Sequence, residues 1–327
     1  MKSWWIRPEG GKLVLESRET PAPEPKAGEL LVQVRAASLN RGEFIAGHGL
    51  HGGADAKPAG QECSGEVIKL GEGVTGRAPG DRVMGRARGA FAEYAVVDAR
   101  EAIPVPARLS WEEAASVPLV FAVSYDMLYP GGALQPGEWL LVTGVSAGVG
   151  VASLQIAKVI GAKVVGTSGS AAKLEKLQGL GLDVAVQARG PGFYDAAMKA
   201  TGGKGVDLVV NNVGGTVFAE CVRALAFQGR LATVGYVDGV MKSEIDLDAL
   251  HSKRLRLFGV SNKLRNAAQR AETIRGFVRD CLPAIADGRI KPLVDRVFAF
   301  AELPAAKAHM ESNAHVGKIA VRMEAAK

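Results

Sequence analysis

In the opening part of the chain, apolar residues fall in short alternating or continuous runs: Leu30–Val34, Glu66–Ile68, Arg82–Met84 and Tyr94–Val97, separated by turns containing Gly or Pro. Such runs between breakers predict short strands and a compact barrel-like or irregular β domain with few helices. The pattern changes after Trp111–Ala115. Helical stretches then alternate with continuous apolar runs at Trp139–Thr143, Lys163–Gly166, Asp207–Val210 and Arg230–Val234. Apolar strands with helices between them predict a parallel sheet covered on both faces. A further helix is expected over Asn266–Ala286, ended by Gly288, and β character returns at Lys291–Phe298 and Lys318–Arg322, where the tail is expected to rejoin the first domain.

A chain of 327 residues suits two cores. No stretch approaches the ~20 uninterrupted apolar residues of a membrane span, and Met1–Arg7 lacks the apolar core of a signal peptide, so a cytoplasmic location is expected and no membrane partner. Cys63, Cys221 and Cys281 are widely spaced and form no CxxC pair, which fits a reducing compartment. The formal charge of +6 comes from Lys and Arg spread along the chain without an aromatic-interleaved basic run. This argues for a solvated surface and against a nucleic-acid partner, and the field favours a phosphate-rich cofactor.

The chemistry starts at the first apolar strand. Trp139–Thr143 is followed by Gly144-Val-Ser146-Ala147-Gly148-Val149-Gly150, and Val151–Ile160 resumes at helical spacing. A strand, tight turn and helix point backbone N–H groups and the positive end of the helix dipole into one crevice, where a pyrophosphate replaces the missing hydrogen-bond partners. The next strand carries no Asp or Glu at its end to grip an NAD ribose. It ends in Thr167, Ser168 and Ser170, with Lys173 beyond, which suits the 2′-phosphate of NADPH. The serines also suit a helix cap, and the lysine a solvated face. Later strands end in Asn211-Asn212-Val213-Gly-Gly215 and Gly235-Tyr236, as expected where carboxyl ends of strands line a ligand crevice. Asn211 and Asn212 equally suit turn stabilisation, and Tyr236 plain packing.

With these pieces in order, the chain resembles, nearly end to end, the medium-chain dehydrogenase/reductases, and most closely their zinc-independent quinone oxidoreductase (zeta-crystallin-like) branch. The matching segments are Met1–Arg7, Pro21–Val34, Ala37–Arg41, Gly60–Val67, Pro79–Val83, Leu134–Gly150 with Gln155–Lys158, and Gly317–Val321. The resemblance implies an α/β fold: a Rossmann doubly wound parallel sheet inserted into a GroES-like β-barrel catalytic domain. Residues 1–121 form the first part of the catalytic domain, 122–261 the Rossmann NADP-binding domain, and 262–327 the returning part, with the active site in the cleft between domains. It implies a homodimer through the last Rossmann strand, Leu255–Val260, which includes the expected cofactor contact Phe258.

The positions matching the ligands of a catalytic zinc are Asn40, Gln61 and Leu119, two amides and an alkyl group, so no metal is expected. Without a Lewis acid the acceptor must already be electrophilic, and the implied activity is NADPH-dependent reduction of a quinone or other α,β-unsaturated carbonyl. The alternatives are an enoyl thioester or alkenal reductase and a non-catalytic NADPH-binding sensor or structural protein. Asn40 matches the branch's active-site amide and is expected to donate to the acceptor oxygen, its other role being that of a turn residue. Lys318 matches a basic position facing the cofactor phosphates, with a solvated strand lysine as the other reading. Three departures bear on these roles: Phe121 and Val123 stand where a Gly and a Thr are usual, with Ser124 the nearest substitute hydroxyl. Ala147 replaces the turn's middle glycine, and Ala188 replaces an aromatic residue, leaving Arg189 as a second cation.

Overall fold

The computed structural model describes residues 1–10, 12–45 and 56–323. The chain forms two compact units, one of Met1–Leu119, Asn266–Val278 and Pro292–Lys327, the other of Val120–Arg265 and Arg279–Lys291.

In the first unit a seven-stranded sheet runs in the order Val294–Ala299, Lys318–Arg322, Glu29–Ser38, Glu62–Leu70, Arg82–Arg86 and Ile103–Pro104, with Tyr94–Asp98 also paired to Glu29–Ser38. Its pairs are antiparallel except the first. A smaller sheet orders Lys12–Glu19, Lys2–Glu9 and Lys57–Pro58. The strand Glu29–Ser38 is buried along most of its length because neighbours pair on both edges and Leu30, Val32 and Val34 enter the core with Phe91, Ile319 and Val321. The chain ends are joined here: the Trp4 indole Nε1 donates to the Phe300 carbonyl at 3.0 Å, and Ala320 pairs with Ser38. That register carries Lys318 to the end of the strand at which Leu39 and Asn40 leave it.

The second unit is a six-stranded parallel sheet in the order Val184–Gln187, Lys163–Ser168, Trp139–Thr143, Val206–Asn211, Leu225–Thr233, Arg256–Gly259. In chain order this is third, second, first, fourth, fifth, sixth, the doubly wound arrangement in which the order reverses at the first strand. Leu140, Leu141, Val142, Val164, Val165, Leu208, Val209 and Val210 are all fully buried, so the continuous apolar runs reflect a sheet covered on both faces. The outermost strand Val184–Gln187 alternates between half-buried and exposed and carries a correspondingly weaker apolar signal.

The returning segment differs from the expected single helix in a single domain. Two helices form, Ala267–Asp280 and Leu282–Ala286. Pro283 stands in the first turn of the second, where its missing N–H is harmless, whereas one continuous helix would need that donor. Residues 279–291 pack with the second unit. Tyr125 Oη donates to Asp280 Oδ2 at 2.9 Å, and Gln155 exchanges two hydrogen bonds with the backbone of Lys291, at 3.0 and 2.8 Å. Among the described residues no helix is long and apolar enough to cross a membrane.

Candidate functional site

The glycine-rich turn after Trp139–Thr143 is shaped by contacts that admit no side chain. Gly144 has φ +64°, the left-handed region that glycine tolerates. A Cβ on Gly150 would stand 2.6 Å from Gly144 O and from Val145 Cα, so the helix Gly148–Ile160 starts hard against the turn. A Cβ on Gly166 would meet Val145 Cγ1 at 2.7 Å, which lets the second strand approach equally closely. Ala147, at the N-cap, has φ −76° and ψ 166°, backbone that any residue adopts, and its methyl is exposed. The departure from glycine at 147 therefore carries no conformational strain. Because alanine cannot cap, the N-cap side chain leaves the first-turn amides of the helix, including those of Gly148 and Val149, without a cap bond.

The end of the second strand closes one side of this turn. The Thr167 hydroxyl accepts from Gly144 N at 3.2 Å, and its carbonyl accepts from Val145 N at 2.9 Å. Thr167 is thus part of the turn's scaffold. Ser146 and Ser168 are buried with their hydroxyls 3.2 Å apart. Ser170 caps the helix Ala171–Gln178, accepting from Lys173 N at 3.4 Å, and Ser168 accepts from Ser170 N at 3.4 Å. Of the two serines, capping belongs to Ser170. A Cβ on Gly169 would stand 3.0 Å from Arg189 Nε, so the Arg189 guanidinium lies over the turn that leads to Lys173.

The fourth and fifth strands end beside the same turn. Asn211 is fully buried and is a turn residue: its Oδ1 accepts from Thr143 Oγ1, Val213 N and Gly214 N, each at 3.1 Å, and its Nδ2 donates to Gly214 O at 2.9 Å. Asn212 differs. Its backbone N donates to Thr143 Oγ1 at 3.0 Å, but its side-chain Nδ2 is buried and lacks a partner. A Cβ on Gly144 would lie 3.6 Å from Val213 Cγ2 and 3.7 Å from Asn212 Cβ, and one on Gly235 would lie 3.2 Å from Asn212 O. The structure therefore brings Ser146, Ala147, Gly148, Val149, Thr167, Ser168, Asn212, Val213 and Gly235 together at the carboxyl ends of the strands. Tyr236 follows at 38% exposure. Phe258 is accounted for by packing: its Cε2 would lie 2.5 Å from a Cβ on Gly131. Ser124 is fully buried, accepting from Ser153 Oγ at 3.0 Å and donating to Val149 O at 3.3 Å, so it ties two helices and does not stand in for an exposed hydroxyl at 123.

An uncapped helix start, an orphaned buried amide and cations at the end of the second strand form a donor-rich surface that fits a dinucleotide bearing an adenosine phosphate.

Asn40 and Lys318 belong to the first unit and form one buried network with a residue that sequence reasoning passed over, Glu62. Glu62 is fully buried. Its Oε1 accepts from Ser38 Oγ at 2.6 Å, Asn40 Nδ2 at 2.9 Å and Lys318 Nζ at 2.8 Å, and its Oε2 from Leu119 N at 2.8 Å. Lys318 Nζ donates also to Leu39 O at 2.7 Å and Asn40 Oδ1 at 2.6 Å. Its three hydrogens are spent, which does not match the expectation of a lysine turned to cofactor phosphates. Both hydrogens of the Asn40 amide are spent too, the second on Glu43 Oε1 at 2.9 Å. The only signals for this network were Glu43 three places after Asn40 and Glu62 beside Gln61.

Glu43 is buried and its Oε2 has no partner. Burial pushes its carboxyl up to about 8, against the smaller opposing pull of Asn40 and Lys318. The native state therefore holds a proton that the unfolded chain releases from its ordinary value of 4.5 upward, and folding stability falls as pH rises through that window. Glu43→Gln is expected to match wild type in stability near pH 4 and to exceed it by on the order of 2–3 kcal/mol at pH 7, as measured by urea denaturation across pH. An equal stability difference at both pH values would remove this account.

A divalent cation does not fit this network. The amide at 40 is saturated, position 119 offers only an N–H already given to Glu62, and the Lys318 ammonium repels a second cation. Among the described residues no three His, Cys, Asp or Glu side chains gather as a metal site.

Two family models match the chain: "Zinc-binding dehydrogenase" over residues 148–274 and "Alcohol dehydrogenase GroES-like domain" over residues 26–107. The human synaptic vesicle membrane protein VAT-1 homolog is 31% identical over 324 residues, 94% of this chain and 82% of that protein. A phenolphthiocerol/phthiocerol polyketide synthase polypeptide of Mycobacterium tuberculosis is 31% identical over 94% of this chain, which spans only 14% of that protein's length. Among solved structures, mycobacterial Rv1454c complexed with NADPH superposes with a TM-score of 0.88 at 27% identity, covering 98% of this chain and 100% of that one. A mycobacterial quinone oxidoreductase gives 0.87 at 27%, covering 98% and 99%, and the CurK enoyl reductase 0.82 at 27%, covering 98% and 99%. The doubly wound sheet, the antiparallel first unit and these matches agree: the chain belongs to the medium-chain dehydrogenase/reductase superfamily of oxidoreductases, in its quinone-oxidoreductase-like branch.

Proposed function

We propose that the chain is a metal-independent NADPH-dependent reductase that passes hydride to a quinone or another α,β-unsaturated carbonyl. The observation that carries the reading is the buried, unpartnered Nδ2 of Asn212 beside a helix start that Ala147 leaves uncapped. The amides of Gly148 and Val149 would take the pyrophosphate, Lys173 and Arg189 the 2′-phosphate, and Ser146, Ser168, Val213, Gly235 and Tyr236 the rest of the dinucleotide. When bound, NADPH supplies the hydride, and the protein's part is to orient the acceptor and exclude water around it. The NADPH-bound mycobacterial relative supports the cofactor, and the quinone oxidoreductase supports the acceptor class. Resemblance to the CurK enoyl reductase and to a polyketide synthase favours an enoyl thioester as the second reading.

The test is NADPH oxidation with a quinone panel set against a crotonyl thioester. Fast quinone turnover supports the first reading. Slow quinone turnover beside fast thioester reduction overturns it in favour of the second, and tight NADPH binding with no oxidation by any acceptor would mark a non-catalytic binding protein. Lys173→Ala is expected to weaken NADPH by roughly tenfold and NADH by much less, since only the former offers a phosphate to the ammonium. Equal losses in calorimetric titrations would undo the cofactor preference. The reading includes a homodimer through Arg256–Gly259, the terminal strand of its sheet, whose open edge needs cover. It also includes a reducing cytoplasm, which suits three free buried cysteines. A sedimentation mass of one chain would remove the dimer.

A further inference from the structure

Within the second unit, at the amino ends of its strands and so at the far end of the sheet from the glycine turn, lies an open cleft of about 580 Å³. Glu138 and Asp207 supply its acids, and Arg230, Arg254 and Arg256 its bases. These charges do not settle one another. Arg230 is spent: it donates to Glu138 Oε1 at 3.0 Å and Oε2 at 2.7 Å, and to the carbonyls of Gly132 and Ala133. Asp207 Oδ2 accepts from Trp139 N at 2.8 Å. Arg254 and Arg256 are exposed, and among the described residues neither guanidinium has a hydrogen bond or an ion pair. Arg256 is also the register partner of Arg230 on the neighbouring strand, so two like charges stand side by side and only one of them is offset.

The backbone holds the arginines here at a conformational cost. Of the four non-glycine residues with positive φ among the described residues, three line this cleft: Ala133 at +45°, Gln228 at +60° and Arg254 at +53°. Left-handed backbone at such residues is unfavourable and persists where the surroundings over-determine it. Gln228 N donates to Lys253 O at 2.6 Å, and Lys253 Nζ donates to the carbonyls of Arg223 and Leu225 at 3.0 and 2.8 Å. Leu255 is buried between the two arginines, which leaves 254 and 256 turned outward together.

We propose that this cleft binds a phosphate monoester of nucleotide size, with Arg254 and Arg256 on its phosphate. Each guanidinium fork takes a pair of oxygens, so a carboxylate fills one fork, whereas a phosphate with three oxygens and a charge of roughly −1.5 to −2 serves both. Asp207 keeps its Oδ1 without a protein donor among the described residues, which suits a hydroxyl of the ligand. Phe227, 62% exposed at the cleft, offers a flat apolar face to a ring. The volume is that of a small-molecule site. Because the glycine turn lies at the other end of the same strands, the occupant is a second ligand and not the dinucleotide, and the site does not depend on the reductase reading.

Calorimetric titration of the full chain with uridine 5′-monophosphate, which lacks the adenosine of the dinucleotide, tests the site without cofactor or turnover. Removing the phosphate, as in uridine, or both guanidiniums, as in the chain carrying Arg254→Gln and Arg256→Gln, is expected to weaken binding by roughly tenfold or more. NADPH affinity should be equal in wild type and this variant, and saturating NADPH should leave the nucleotide's binding to wild type unchanged. Arg254→Gly is a second check: glycine adopts φ +53° freely, so its thermal midpoint should not fall while nucleotide binding does. A wild type that does not take up the nucleotide, a doubly substituted chain that binds it as wild type does, or displacement by NADPH each overturns the inference. Orotate bound as tightly as the nucleotide gives the arginines to a carboxylate and overturns the phosphate. A wild type indifferent to NADPH sinks the reductase reading alone, and loss of the nucleotide in the arginine variants then still supports this site.

Discussion

Lys318→Met is expected to destabilise the first unit by about 3–5 kcal/mol, the cost of removing one partner from a buried ion pair. The carboxylate of Glu62 has no exposure at all, and among the described residues Lys318 supplies its only cation. Methionine fills the same space but leaves Leu39 O and Asn40 Oδ1 without their donor and Glu62 charged in an apolar setting. Urea denaturation followed through the tryptophans Trp4, Trp5 and Trp111, all in this unit, reads the loss. Glu62→Gln in the same chain removes the stranded charge and should restore part of the loss. A Lys318→Met protein within about 1 kcal/mol of wild type at neutral pH would mean that the pair behaves like an exposed one and that the network does not hold the unit together.

Gly150→Ala is expected to lower NADPH affinity by roughly 100-fold, or about 2.7 kcal/mol. The new Cβ would stand 2.6 Å from three backbone atoms, Gly144 O, Val145 C and Val145 Cα, and none of these can rotate away as a side-chain tip can. Either the turn opens or the helix Gly148–Ile160 backs off, and both displace the amides of Gly148 and Val149 proposed to hold the pyrophosphate. Gly190→Ala is the control, because a Cβ there meets nothing within 4 Å. Fluorescence titration with NADPH compares the three proteins. If Gly150→Ala binds as tightly as Gly190→Ala, the dinucleotide does not sit on this turn.

The strands Trp139–Thr143 and Lys318–Arg322 begin and end where the apolar runs do, and the tight turn from the first into the helix Gly148–Ile160 was legible as well. Strand, turn and helix are contiguous there, so glycine spacing alone sets the direction of the amides. The break between Asp280 and Leu282 was less legible, because the periodicity of Asn266–Ala286 runs through Pro283 and packing with the second unit decides where the chain turns. Asn211 and Asn212 show the limit within one motif. Adjacent and chemically identical, they divide into a turn residue with four side-chain hydrogen bonds and an orphaned donor, and only the positions of Thr143 and Gly214 separate them.

The sequence by itself determined the two-unit organisation in outline, the doubly wound sheet and the glycine turn with hydroxyls and cations beyond the next strand, because each follows from periodicity or from residues within a few places of one another. Tertiary structure alone decided what Lys318 and Asn40 do. The partner of Lys318 lies 256 positions away on another strand, and a buried ammonium goes wherever folding places an equally buried carboxylate, since neither charge can be left unpaired out of water.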